Sequence, residues 1–173
     1  APLDTNLSED DAFAITFTGG TTGFPKGALV SHKARLISSR VGALEKNMTE
    51  GDIAAITTPM FHTAGLFVWY QPAVLVGAAC VLIPDWSPGE FLAAISDNGV
   101  NSAFLVPTQI IKLLNAPDFD EDAFSRIKKI AYGGAPMSPT LLDVLLERFP
   151  VRPLTTNNRQ TDSCSLARWR TSP

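Results

Sequence analysis

Between residues 12 and 148, short apolar runs rich in β-branched side chains alternate with segments patterned and capped as helices. That alternation limits the fold more than any other feature. Repeated strand–helix–strand units cross over with one hand and stack into an α/β layered fold, a mostly parallel sheet with helices on both faces. The runs that read as strands are Ala12–Phe17, Ile53–Thr57, Ala78–Ile83, Asn101–Val106 and Ile127–Tyr132. The first and third read as buried on their apolar content.

The helices carry their own punctuation. Ser31 caps one running to about Lys46, with Leu36, Ile37, Val41 and Leu44 near helical spacing. Ala64–Val76 is apolar on nearly every side, which predicts a buried helix kinked or broken near Pro72. Ser87-Pro88-Gly89-Glu90 combines a cap, a proline at the first helical position and a glutamate three after the cap, so a helix runs to about Asp97 and stops at Asn98-Gly99. Pro107 opens another through Leu114, and Ser138-Pro139 begins one reaching Arg148. The acidic stretch Pro117–Asp122 reads as a surface loop.

Composition sets the class. With 173 residues, 45% hydrophobic and 18% charged, the chain holds one ordinary core or a large piece of a bigger one. A net charge of -3 without a basic stripe argues against nucleic acid as partner. The greasiest stretch, 64–82, is interrupted by Gln71 and Pro72 and falls short of the roughly 18 unbroken apolar residues of a membrane span. Cys80 and Cys164 lie far apart with no C-x-x-C spacing, which points to a reducing cytoplasm rather than to disulfides or zinc. Residues 1–150 therefore read as one α/β domain. The tail, 151–173, has four arginines against one aspartate and no period, and is expected to be loosely ordered. The start at Ala1, without methionine, reads as that of a fragment or a processed chain.

After the first strand comes Phe17-Thr18-Gly19-Gly20-Thr21-Thr22-Gly23-Phe24-Pro25-Lys26-Gly27. Glycines let backbone amides approach a ligand, threonines donate hydroxyls and the lysine brings a mobile positive charge, so the mixture reads as a cradle for a polyphosphate. It is not a Walker loop, because Lys26 follows Pro25 and precedes Gly27 where Gly-Lys-Ser/Thr is required. It is not a dinucleotide fingerprint either, since no G-x-G-x-x-G opens a helix.

The stretch does resemble, throughout, the phosphate loop of the adenylate-forming superfamily, which includes acyl-CoA synthetases and aryl-CoA ligases. Pro59-Met60-Phe61-His62-Thr63-Ala64-Gly65 is similar to that family's next motif, and Tyr132-Gly133-Gly134-Ala135-Pro136 to its adenine-side segment. The following family motif, Asn-Tyr-Gly-x-Thr-Glu, meets Asn157-Asn158-Arg159-Gln160-Thr161-Asp162, where the stacking tyrosine is missing and aspartate replaces glutamate. The likeness thus covers about Ala12–Phe149, part of the family's large domain, the partial AMP-binding domain.

What the resemblance implies is attack of a carboxylate on the α-phosphorus of ATP, giving an acyl-adenylate and pyrophosphate, followed by thioester formation with coenzyme A. Thr18, Gly19, Gly20, Thr21, Thr22, Gly23, Lys26 and Gly27 would hold the phosphates, with Thr22, Lys26 and His62 at the reacting groups. Gly133, Gly134, Ala135 and Pro136 would lie along the adenine, and Asp162 would ligate Mg2+. Phe61, Trp69 and Tyr70, near the acyl segment, suit either a fatty chain or an aromatic ring. Family parts with no counterpart in the sequence include the ribose-binding aspartate and the small C-terminal domain with its lysine. The isolated chain is therefore expected to form adenylate very slowly or not at all. The alternatives are a non-catalytic nucleotide-binding module and a homo-dimer formed through surfaces left bare.

Overall fold

A computed structural model describes residues 6–18, 26–148 and 153–155. Strand β1, Ala12–Thr18, pairs antiparallel with β2, Lys26–Ser31, as a separate two-stranded sheet. Helix α1, His32–Glu45, follows, capped by the Ser31 hydroxyl, which accepts the Ala34 N–H. Strand β3 is Ile53–Ile56. A π-helical segment, Ala64–Tyr70, runs into α2, Gln71–Leu75, and then β4, Ala79–Leu82. Helix α3, Pro88–Asn98, leads to β5, Ser102–Leu105, and α4, Pro107–Leu114, with the short α5, Glu121–Phe124, to β6, Lys129–Tyr132. Helix α6, Pro139–Arg148, and β7, Pro153–Thr155, complete the described chain.

The main sheet is parallel, ordered β4-β3-β5-β6-β7. Strands of period two must offer alternate residues to opposite faces, and here both faces are covered. Ala55, Ala103, Leu105, Ile130 and Tyr132 pack with Phe91, Ile95, Ile110, Leu113, Phe124 and Leu145 on the side of α3–α6. Ala54, Ile56, Phe104 and Ala131 pack with Ala43, Trp69 and Ala73 on the side of α1 and α2. The expected layered α/β arrangement, helices on both faces of a parallel sheet, is what the chain forms.

Several local expectations differ. The order strand, glycine loop, helix is corrected, because β2 stands between the loop and α1. The loop therefore closes a hairpin and cannot use a helix N-terminus as an anion site. Strand β1 is not buried: Ile15 and Phe17 are 58% and 72% exposed, beside exposed Leu29 of β2. Strand β4 is an edge strand whose Leu82 is exposed, not a buried one. An apolar run reports what a strand tends to bury and cannot report whether a neighbour is there to cover it.

Within the acidic stretch, the Asp120 carboxylate accepts the Ala123 N–H and caps α5, so part of the expected loop is helical. Composition marked 151–173 as loosely ordered, yet Pro153–Thr155 pair with β6. The expected break near Pro72 takes the form of a change of helix type. Pro72 has no N–H to give the carbonyl of Val68, and one residue earlier the Gln71 N–H reaches back to the Leu66 carbonyl, a five-residue step.

Candidate functional site

Strand order puts the third parallel strand, β5, on the side of β3 opposite the second, β4. The connections leaving β3 and β5 therefore diverge, which makes the C-terminal ends of these two strands the topological switch point, where open α/β sheets form a crevice. In open α/β sheets this switch point is where ligands bind. The β3–β5 ladder ends with Ala54↔Ser102 and Ala55↔Ala103, and beyond it side chains bridge the gap. The Thr57 hydroxyl donates to the Phe104 carbonyl at 2.6 Å, and the Gln109 amide donates to the Thr57 carbonyl at 3.2 Å.

On the β3 wall, the His62 N–H donates to the Pro59 carbonyl and the Leu66 N–H to the His62 carbonyl, winding residues 58–63 into the π-helical segment. Gly65 makes this tight turn possible. A Cβ there would sit 2.6 Å from both the Thr58 and Pro59 carbonyl oxygens. The Ala64 N–H donates to His62 Nδ1 at 3.1 Å, so the neutral ring carries its proton on Nε2. His62 is exposed, as is Phe61, at 93%.

On the far wall, β6 is followed by buried Gly133 and then by Gly134, Ala135 and Pro136, all exposed. Gly134 has φ +82, a left-handed conformation natural to glycine, and a Cβ on it would approach a Val106 methyl at 3.3 Å. The segment that follows β6 therefore lies against the one that follows β5. Burial among the α3–α6 side chains pushes the Tyr132 phenol pKa up by desolvation.

The glycine loop hangs from the separate hairpin. Helix α1 descends from that hairpin to the turn preceding β3, so the hairpin stands on the side to which the parallel strands' C-terminal ends point. Phe13 ties it there, its ring 5.1 Å from that of His32 and 6.3 Å from that of Phe67 in the π-helical segment. Arg35 reinforces the joint, donating to Gln71 Oε1 and the Phe67 carbonyl while its guanidinium lies 4.3 Å from the Phe67 ring centre.

Thr18 and Lys26 are cross-strand partners, which brings together the two ends of the loop. Gly27 lies in β2 opposite Phe17, and a Cβ on it would meet the Ile15 side chain at 2.8 Å; its smallness serves hairpin packing. Gly19, Gly20, Thr21, Thr22 and Gly23, and also Asp162, fall outside the described residues.

The structure thus places His62 and Gly133–Pro136 on one sheet edge with the Thr18–Lys26 stem on the same side. It removes Trp69 from the acyl-site residues, since that side chain is 1% exposed and packs against Phe104. Sequence reading gave no role of their own to Thr57, at the end of a predicted strand, or to Gly65, at the end of the His62 motif, and it missed Gln109. For Gln109 a signal existed: it stands three residues after Val106, where a glutamine reaches back to the cap N–H.

Comparison with known proteins bears on the family and the fold. Residues 1–170 match the family model described as AMP-binding enzyme. The chain is 34% identical over 148 residues to 4-coumarate–CoA ligase 2 of Oryza sativa subsp. japonica, covering 83% of this chain and 26% of that one. It is 30% identical to feruloyl-CoA synthase of an Amycolatopsis species, covering 85% and 30%. The chain thus spans under a third of these relatives' length.

Among solved structures, ATP-bound MatB from Rhodopseudomonas palustris superposes with a TM-score of 0.81 at 24% identity, covering 90% of this chain and 30% of that one. O-succinylbenzoate coenzyme A synthetase from Bacillus subtilis, in complex with AMP, gives 0.77 at 26%, covering 92% and 33%. The match over residues 1–170 and the likeness to CoA ligases along most of the chain place this protein in the AMP-binding enzyme family.

Proposed function

We propose that the chain is the nucleotide-binding portion of an AMP-forming carboxylate–CoA ligase: carboxylate and ATP give acyl-adenylate and pyrophosphate, and coenzyme A then displaces AMP. The observation that carries this reading is the placement of His62 and Gly133–Pro136 on either side of the switch-point crevice, with the Thr18–Lys26 stem of the glycine loop on the same side of the sheet. The kind of acid is fatty or aromatic, in line with the CoA ligases it resembles.

A carboxylate is already ionised at neutral pH and needs no general base. The difficulty is instead the meeting of two anions, so the work of these residues is to absorb charge. Amides and hydroxyls of Thr18–Thr22 and the Lys26 ammonium would take the β and γ phosphates. The His62 Nε2–H, set by the Ala64 N–H on the other nitrogen, would donate to the acid oxygen. Gly133, Gly134, Ala135 and Pro136 would present backbone to the adenine. Among the described residues no group of three His, Cys, Asp or Glu side chains could hold a metal; a magnesium ion carried in with ATP would need only one or two carboxylates beside the phosphates, and Asp162, the implied ligand, lies outside the described residues. Residues 1–150 would act as the binding domain, with Pro153–Thr155 adding a strand to its sheet.

Titration calorimetry with ATP and with AMP tests the reading. Heat of binding is expected with both, with ATP the tighter ligand through its additional phosphates. No heat with either nucleotide, from a chain that circular dichroism shows folded, overturns it.

A further inference from the structure

We infer that Gln109 is a positioning residue that sets the separation of the two walls of the crevice, an assignment that rests on the nucleotide–carboxylate reading of the same site. Its Oε1 accepts the Val106 N–H at 3.0 Å, as a glutamine at the third helical position ordinarily does to cap its own helix. A cap needs nothing more. The Nε2–H, however, crosses to the Thr57 carbonyl, on the strand that carries the His62 loop.

This second bond lies past the last ladder pair of β3 and β5, beside the bond from the Thr57 hydroxyl to the Phe104 carbonyl. Val106, gripped by the other end of the same amide, is the residue whose methyl lies under Gly134. One side chain therefore links the exits of β3 and β5, and through Val106 it touches the segment leaving β6. The donor faces β3 and the acceptor faces β5, so no apolar or singly functional side chain of that size replaces both bonds.

Amide hydrogen exchange, the ring-nitrogen NMR shifts of His62 and ATP calorimetry on the full 173-residue chain decide the matter. In Gln109→Met, the His62, Ala64 and Leu66 amides are expected to exchange roughly two- to tenfold faster, the range that one lost hydrogen bond allows. The His62 Nδ1 resonance should shift and ATP should bind more weakly, while amides of α3 stay unchanged. Gln109→Glu, which keeps the Val106 acceptor and loses the Thr57 donor, should show the same signature and serves if the methionine variant does not fold. Exposed Lys112→Ala, on the same helix, should change none of these.

Unchanged His62-loop exchange in both Gln109 variants overturns the assignment, as does equal acceleration in α3, which marks general destabilisation. If the wild-type chain gives no heat with ATP, the nucleotide reading fails, and the exchange and NMR measurements still decide whether Gln109 holds the loop.

Discussion

Lys129 reaches from the start of β6 past β5 to Asp52 at the foot of β3, its Nζ 2.8 and 2.7 Å from the two carboxylate oxygens. The same ammonium donates to the Asn47 carbonyl, and Asp52 also accepts the Thr49 N–H. With side-chain exposures of 17% and 5%, the pair is shielded from water. Removing one partner leaves the other charge unpaired at the N-terminal edge of the sheet. Asp52→Ala should cost about 3 kcal/mol of unfolding free energy in urea titrations, and the double variant Asp52→Leu with Lys129→Met should recover part of that loss.

Gly65→Ala should destabilise by about 1 to 3 kcal/mol, because its methyl would meet two carbonyl oxygens at 2.6 Å with only backbone to yield. The segment that must give is the His62 loop. Thermal unfolding would show the loss, and NMR should show the largest shifts at His62 and Ala64.

Lys26→Ala should weaken ATP binding about tenfold or more, as for a hydrogen bond to a charged group, and AMP binding far less, since AMP lacks the β and γ phosphates. Pyrophosphate release from ATP, magnesium and a carboxylic acid should stay at background for the 173-residue chain. A rate dependent on the acid and abolished by Lys26→Ala would show that the chain completes adenylation alone.

Burial raises the pKa of the Cys80 thiol and of the Tyr132 phenol. In Cys164→Ser, alkylation by iodoacetamide should therefore have a pH midpoint above that of a free thiol, as only the thiolate reacts. For stability the sign is the same in both groups: the unfolded state ionises first as pH rises. Their contribution is intact below the unfolded values, 9.0 for Cys80 and 10.0 for Tyr132, and is lost as pH climbs through the higher folded ones. Tyr132→Phe should flatten the alkaline limb of a stability–pH curve.

Leu36, Ile37 and Leu44 of α1 and Val74 and Leu75 of α2 are exposed, several of them around a cleft of about 650 Å³ between the helices. A patch of that kind favours self-association. Sedimentation velocity should show mass rising with concentration, and Ile37→Glu should reduce it. A monomer at all concentrations would exclude the homo-dimer as a working state.

Local chemistry was enough to determine much of this protein. Ser31, Ser87 and Ser138 each accept the expected cap bond, Gly99 ends α3 with φ +68, and the alternation of runs foretold the parallel sheet. The glycine loop and the His62 and Gly133 motifs were legible because each is a run of consecutive residues, which a sequence displays directly. Tertiary structure alone decided which strands are neighbours, that β2 turns the glycine loop into a hairpin closure, and that β1 and β4 lie uncovered. It also decided that Gln109, Thr57 and Gly65 build the crevice and that Trp69 does not. The physical reason is separation along the chain: caps and turns are satisfied within four residues, whereas the bond from Gln109 to Thr57 spans 52 positions and exists only once β3 and β5 lie side by side.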